Sequence, residues 1–166
     1  MKALKWVLLA AAVFLIQTQF SSLKGLVNGT VILVYLFGLK SRQEIATHGY
    51  TSTRAELEST LFGMAVGLVE DLLSGSIIGP GVLSKGLLGL TASIVFTDLV
   101  FRWTPLWGGV ILAVFTSLDG GMLIGTRVFF TGVEVGSVTA LQVLLIQPLM
   151  NIPFGIIIKP LEQSRL

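Results

Sequence analysis

Six apolar segments joined by short connections occupy most of this 166-residue sequence. They cover residues 4–20, 25–39, 54–74, 80–99, 105–125 and 135–158. A helix of about 20 mostly apolar residues crosses the hydrocarbon core of a bilayer, and several of these segments reach that length. The pattern predicts an all-α integral membrane protein, a bundle of six transmembrane helices in a single domain covering residues 1–166.

Composition excludes the main alternative, a compact soluble domain. Hydrophobic residues make up 53% of the chain, charged residues only 12%, and the mean hydropathy is +0.88. Soluble domains carry about 25% charged residues. A chain of this length has too large a surface-to-volume ratio to bury so much apolar surface in water.

The same composition argues against several functions. The net charge of +2 comes from scattered residues and forms no basic stripe, so we expect no nucleic-acid partner. The chain has no cysteine and one histidine, His48, which predicts no metal and no cofactor. Ser74 and Ser84 have no histidine in the membrane to act as a base. We therefore expect no catalytic residues and no enzymatic activity.

Lysine and arginine residues are distributed unequally between the two sides of the predicted bundle. Lys2 and Lys5 precede the apolar run 6–16, and no Ala-x-Ala cleavage site follows, so this run is predicted to be an uncleaved first span. With the N-terminus in the cytoplasm, eight basic residues lie inside and two outside, Lys24 and Arg127. The positive-inside rule then places both termini in the cytoplasm. Residues 40–53 become the one sizeable cytoplasmic loop, within a polar stretch that continues to Glu58.

Several residues predict where helices begin, end or bend. Thr53 and Glu56 fit a capping box that would start the third helix. Pro80 and Pro105 stand where the fourth and fifth helices should begin. The segment 75–79, with a glycine at each end, predicts a tight turn between helices three and four. Pro148 and Pro153 predict a kinked or broken sixth helix.

Glycines recur at four-residue spacing, which on a helix opens a flat face for close packing in lipid. Gly75 and Gly79 belong to the predicted turn, and Gly132 and Gly136 to the next loop. The pairs predicted to pack helices together are Gly25 with Gly29, Gly63 with Gly67, and Gly121 with Gly125.

Ionisable residues inside the apolar segments predict a polar layer towards the outer leaflet. Glu70 and Asp71 precede the turn by about one helical turn, and Lys85 follows it at a similar depth. We expect Lys85 to pair with one of these two carboxylates, with Asp71 the better candidate for also capping the turn. Asp119 falls about 21 Å into the fifth helix, at the same level. The full predicted layer is Glu70, Asp71, Ser74, Gly75, Gly79, Lys85 and Asp119.

Three uses of this layer remain open at this point. It could hold the bundle together, form a partner or ligand site, or translocate protons or ions. Translocation is the weakest of these, because the sequence has no convincing internal repeat. Three acids against one base also imply that one acid is protonated, faces water or pairs with Arg127.

The residues around the turn resemble a known family. The run Gly67-Leu68-x-x-Asp71-Leu72-Leu73-Ser74-Gly75-Ser76-Ile77-Ile78-Gly79-x-x-x-Leu83 resembles the signature hairpin of the rod shape-determining protein MreD family. Two weaker similarities flank it in the same order: the segment 28–35, which begins Asn-Gly-Thr and is similar to the family's second span, and Asp119 in the fifth. The sequence departs from the family where Val27 replaces the usual proline, and where Glu70 and Lys85 add charges.

The resemblance implies a fold similar to the substrate-binding subunits of energy-coupling-factor vitamin transporters. It implies a non-catalytic scaffold in the bacterial inner membrane. This scaffold would belong to the cell-elongation complex, which supports lateral peptidoglycan synthesis. Its main partner would be the single-span protein MreC, linked through the complex to MreB and to RodA with its transpeptidase, among membrane lipids. The resemblance also allows a homodimer within that complex. The competing hypothesis is a substrate-binding membrane subunit of a small-solute transporter, in which the polar layer would line a pocket.

Overall fold

The computed structural model describes residues 2–19, 26–48, 51–75, 77–96, 103–132 and 135–159. All regular secondary structure in these ranges is helical, which confirms the all-α class. The elements are α1 (Lys2–Gln19), α2 (Gly29–His48), α3 (Ser52–Ser74), α4 (Pro80–Ile94), α5 (Pro105–Thr131), α6 (Ser137–Leu141), a π-helix (Gln142–Ile146) and α7 (Gln147–Ile157).

Helices α3 and α4 form the most extensive helix pair in the described structure, and the predicted tight turn joins them. Gly75 ends α3 with φ 62°, and Gly79 precedes α4 with φ 137°. A residue with a Cβ atom rarely adopts these backbone angles, so both positions require glycine. Pro80 occupies the first turn of α4, where its missing N–H leaves no helical bond unmade.

The α3 and α4 backbones touch because glycines face each other along the pair. A Cβ atom on Gly63 would collide with the carbonyl oxygen of Lys85, and one on Gly67 with that of Gly81. On the facing helix, a Cβ atom on Gly89 would collide with the carbonyl of Ser59. The predicted packing role of Gly63 and Gly67 is therefore confirmed.

The other predicted glycine pairs have different outcomes. A Cβ atom on Gly29 would lie 3.0 Å from a side-chain carbon of α1, so this glycine does pack against a helix. Its predicted companion Gly25 lies outside the described residues. Internal packing by Gly121 and Gly125 is wrong: Gly121 would meet its nearest atom only at 4.0 Å, and Gly125 meets nothing within that distance. Both lie on the exposed face of α5, while the adjacent Gly120 packs inward.

Several predicted segment boundaries need correction. The predicted loop 40–53 is largely helical, because α2 continues to His48 and α3 begins at Ser52. Residues 40–48 include lysine, arginine, glutamine, glutamate and alanine, which favour a helix, so α2 extends beyond its apolar part. Thr53 is not the N-cap of α3: that position is Thr51, and the first-turn hydroxyl of Ser52 donates to Glu56 at 2.6 Å.

The remaining boundaries also shift. α2 begins at Gly29 rather than at residue 25, and α5 extends past the predicted end at residue 125 to Thr131. Gly132 adopts the left-handed conformation, with φ 64°, and ends α5. In the fourth predicted segment, 80–99, residues 97–99 lie outside the described residues.

The sixth apolar segment is interrupted where proline predicts it. Pro148 has no N–H for the helical bond to the preceding turn, and the residues just before it form the π-helix. There the Gln147 N–H donates to the carbonyl of Gln142, five residues back, so the chain stays hydrogen-bonded through the irregularity. Pro153 lies inside α7 without ending it.

Burial in this bundle is partly the reverse of that in a soluble domain. The buried core includes Tyr35 packed edge-to-face on Phe96 at 5.2 Å, but also fully buried Lys85 and Asp119. Large apolar side chains are exposed on α1, α3, α4, α5 and α7, whereas no side chain described for α2 is exposed. Among the described residues, α5 and the stretch Ser137–Ile157 are the helices long and apolar enough to cross a membrane. α3 has the length but carries charged residues near both ends.

We expect Gly63→Ala and Gly67→Ala to destabilise the protein because the added methyl groups meet backbone carbonyls that cannot rotate away. Overpacking of this kind costs about 1–3 kcal/mol. Gly125→Ala is the matched control, since the same methyl group enters open space and alanine favours a helix by about 0.5–1 kcal/mol over glycine. Thermal unfolding in detergent measures all three, and equal melting temperatures for Gly67→Ala and Gly125→Ala would contradict the close α3–α4 contact.

Candidate functional site: a buried polar cluster beside an end cavity

Asp119 is the centre of a group of polar side chains inside the bundle. Its Oδ1 accepts hydrogen bonds from Lys85 Nζ, at 2.8 Å, and from the Ser84 hydroxyl. Its Oδ2 accepts from Lys85 Nζ and from Asn28 Nδ2, each at 2.9 Å. The side chain is completely buried, so these donors replace the water that the carboxylate would otherwise bind. Asp119 thus ties α5 to α4 and to the start of α2.

Lys85 is also completely buried and has a second acidic partner. Its Nζ lies 2.9 Å from Oε2 of Glu70 on α3. A buried ammonium is costly unless it is paired and hydrogen-bonded, and here two carboxylates and short distances meet that condition. The prediction that Lys85 pairs with Glu70 or Asp71 is confirmed for Glu70, and the predicted common level of Asp119 is confirmed as well.

Asn28 and Asn151 extend the group to α7. The Asn28 backbone N–H donates to Asn151 Oδ1 at 3.3 Å, and Asn151 Nδ2 lies 3.4 Å from the Asn28 carbonyl. Asn151 Nδ2 also donates to the Thr116 hydroxyl at 2.8 Å. The side-chain Oδ1 of Asn28 accepts a hydrogen bond from the Val31 N–H at 3.2 Å, and this bond caps α2.

We call these connected residues the polar cluster. The Thr30 hydroxyl belongs to it, 2.8 Å from Asn28 Oδ1 and 3.1 Å from Glu70 Oε2. The members are Asn28, Thr30, Glu70, Ser84, Lys85, Thr116, Asp119 and Asn151. Sequence analysis found the charged members because charges stand out in apolar segments. It missed Thr30, Ser84, Thr116 and Asn151 as site residues, since neutral polar residues in helices give no such signal. Asn28 was noted only through the family resemblance, although an asparagine before an apolar run is an N-cap signal.

Asp71 has a separate role at the turn. Its Oδ2 accepts from the Gly79 N–H at 2.8 Å and from the Val82 N–H at 3.3 Å, and Oδ1 accepts from the Gly81 N–H at 3.0 Å. These donors are the first N–H groups of α4, which have no helical partner. The predicted capping role is confirmed, and Asp71 is not the partner of Lys85. Ser74, also in the predicted layer, donates to the Asp71 carbonyl at 2.9 Å.

A cavity of about 760 Å³ lies against the polar cluster. We call it the end cavity, because the helices around it contribute residues near their ends. Asn28 and Glu70 of the cluster reach its wall, as do Asp71, Ser74 and Gly75 of the turn. Its other polar lining residues are Gln17, Thr126, Arg127, Thr131, Thr139, Gln142 and Gln147. Its apolar lining comprises Ile77, Pro80, Leu123, Ile124, Phe130, Val135 and Val143.

The arrangement accounts for the three acids of the predicted layer. Asp119 is fully paired inside, Asp71 binds backbone N–H groups, and Glu70 faces both Lys85 and the end cavity. In the part of the chain that the structure describes, no three histidine, cysteine or acidic side chains are grouped so that they could hold a metal ion. Comparisons of the chain with protein families, curated proteins and solved structures returned no match.

We expect Lys85→Met to destabilise the bundle strongly, because it leaves Asp119 buried without a counter-charge. Breaking one partner of a buried ion pair costs about 3–5 kcal/mol. Thermal unfolding in detergent gives the measurement, and Lys159→Met, at an exposed position after α7, is the matched control. A double variant with Asp119→Asn should lose less stability than the sum of the single changes, since it removes both charges. Additive losses would contradict a direct ion pair.

We expect Asp71→Asn to weaken the α3–α4 turn. The amide keeps one accepting oxygen but places an NH₂ group where the other carboxylate oxygen now accepts from α4. Losing a hydrogen bond to a charged group costs about 1.5–3 kcal/mol. Ser74→Ala, at the exposed end of the same helix, is the control. Proteolysis at the turn and the melting temperature both report the effect, and a melting temperature equal to that of Ser74→Ala would contradict it.

Proposed function

We propose that the chain is a six-span, non-catalytic membrane scaffold of the bacterial cell-elongation complex that binds MreC. The single observation that carries the proposal is the meeting of the residues that resemble the MreD family. Asn28 and Asp119 lie 91 positions apart in the chain and bond directly at 2.9 Å. Asp71, from the signature hairpin, shapes the turn beside them. Motif residues that are distant in sequence and adjacent in space support the resemblance.

The directions of the helices support the six-span arrangement. The end cavity is lined by residues near the ends of α1, α3 and α5 and near the beginnings of α2, α4 and α6. Successive helices therefore run in opposite directions, as in a chain that crosses a bilayer repeatedly. The exposed apolar side chains suit contact with lipid, and the buried polar cluster is shielded from it. With both termini cytoplasmic, as the basic residues suggest, the end cavity faces the outer leaflet of the inner membrane.

The chemistry of the polar cluster favours a structural role over catalysis. Lys85 is held between two carboxylates, so it is poorly placed to take a proton from the neighbouring hydroxyl. That hydroxyl, of Ser84, donates to Asp119. The cluster links α2, α3, α4, α5 and α7, which would give a scaffold a fixed outer surface.

The exposed face of α5 is the surface that we propose for the MreC span. Val114, Leu118, Gly121 and Gly125 follow one another at helical spacing, and all four are exposed. The two large residues followed by two glycines leave a shallow groove on the helix surface, where another helix can approach closely. The open space at Gly121 and Gly125, which internal packing does not use, thus becomes available to a partner.

A solute-transporter subunit is the second candidate, and the end cavity is the observation that favours it. Its volume lies within the range of about 300–1,000 Å³ typical of ligand sites. Several lining residues are half exposed or more, including Ile77 at 51% and Phe130 at 63%. A transporter subunit is expected to enclose its solute more deeply. The exposure of these lining residues therefore favours the scaffold.

Affinity purification of the tagged protein from its host in mild detergent tests the proposal. We expect an MreC-like single-span protein at near-equal amounts. Gly125→Leu should reduce its recovery at least tenfold while the protein stays folded, because the new side chain enters open space but blocks a partner helix. Ala12→Leu on the exposed face of α1 is the small-to-large control. Recovery of ATPase subunits or of a bound vitamin instead would overturn the scaffold and favour the transporter.

A further inference from the structure

We propose that the end cavity binds the head group of an aminophospholipid, a primary ammonium joined to a phosphate. The inference rests on the membrane placement proposed above but not on the identity of the protein partner. Three observations carry it: a partly exposed carboxylate in the cavity wall, a guanidinium in the same wall without a partner among the described residues, and apolar residues in the rest of the lining.

Glu70 supplies the site for the ammonium. Only its Oε2 is engaged within the described structure, by Lys85 and Thr30, and the side chain remains 21% exposed in the wall of the cavity. Lys85 balances one of the two carboxylates that it contacts, so Glu70, Lys85 and Asp119 together carry one excess negative charge when ionised. A primary ammonium at Glu70 Oε1 would neutralise that charge and donate a hydrogen bond. A quaternary ammonium could neutralise it but has no N–H to donate.

Arg127 supplies the site for the phosphate. Its side chain is exposed and reaches the end cavity, and no ion pair or hydrogen bond engages it within the described ranges. A guanidinium binds phosphate oxygens with two parallel hydrogen bonds. Thr126 and Thr131, near the same helix end, also line the cavity. Their hydroxyl groups donate hydrogen bonds to α5 carbonyls, so the guanidinium is the strong donor there.

The two charges line the same cavity at different depths. Glu70 lies level with Asp119, because Lys85 Nζ contacts both carboxylates. Arg127 follows Asp119 by eight residues on α5, about 12 Å nearer the end of that helix. Leu123, Ile124 and Phe130 add apolar surface to the same cavity, which suits acyl chains. A soluble ammonium phosphate would satisfy the charges but leave this apolar surface uncovered.

Native mass spectrometry tests the inference. The purified protein is delipidated and exposed to equal amounts of phosphatidylethanolamine, phosphatidylcholine and phosphatidylglycerol with matched acyl chains. We expect phosphatidylethanolamine to be retained about tenfold over phosphatidylcholine, which corresponds to one hydrogen bond to a charged group. Equal retention of all three lipids would overturn the inference.

Two variants locate the head group. Arg127→Gln, at an exposed position without a described partner, should fold normally and lose about tenfold in retention of phosphatidylethanolamine. Glu70→Gln should retain phosphatidylethanolamine and phosphatidylcholine equally. The matched controls are Arg54→Gln and Glu58→Gln, an exposed pair at the opposite end of α3, and both should behave as wild type. Wild-type retention by Arg127→Gln would overturn the inference even if Glu70→Gln did not fold.

Further measurements separate the lipid from a soluble ligand and from the proposed function. Free phosphoethanolamine should not raise the melting temperature of the delipidated protein at millimolar concentration, whereas the lipid should. A rise with the free head group equal to that with the lipid would overturn the lipid assignment. Recovery of MreC by the wild-type protein reports on the proposed function separately. Wild-type protein that prefers phosphatidylethanolamine but recovers no MreC would contradict only the proposed function, and wild-type protein that recovers MreC without a lipid preference would contradict only this inference.

Discussion

The burial of one ammonium group between two carboxylates is the constraint on which the rest of this bundle depends. Without Lys85, the buried carboxylate of Asp119 would have no counter-charge. Asp119 in turn fixes the positions of Asn28 and Ser84, which donate hydrogen bonds to it. Such groups stabilise a fold only when their partners are held in place, since desolvation costs nearly as much as pairing returns. The glycines of the α3–α4 pair supply that precision, because helices in backbone contact cannot slide or rotate freely.

Much of this arrangement could be read from the sequence. The helical class, the turn between Gly75 and Gly79, its cap by Asp71 and the depth of Asp119 all follow from local rules: glycine at positive φ, proline in a first turn, and helical rise per residue. Which carboxylate faces Lys85 did not follow, because Glu70 and Asp71 are adjacent and only the rotation of α3 decides between them. Hydropathy misplaced the helix ends at His48 and Thr131, since a helix need not end where its apolar stretch does.

Glycine spacing likewise does not reveal which face of a helix packs against a neighbour. Gly63 with Gly67 and Gly121 with Gly125 are identical as patterns, yet one pair is pressed between backbones and the other faces outward. The difference depends on which face of each helix meets a neighbour, a property of the whole bundle. The neutral members of the polar cluster could not be predicted for a similar reason. Thr116 and Asn151 are recognisable as site residues only through the hydrogen bond between them, which depends on how α5 and α7 pack.

The bond between Asn28 and Asn151 spans 123 positions and has a consequence for biogenesis. During synthesis the first residue enters the membrane long before the second exists. A growing chain therefore carries an incomplete set of hydrogen-bonding groups until α7 emerges. Insertion of the last helix completes the interior, so a chain truncated before it would expose those groups and present a target to quality-control proteases.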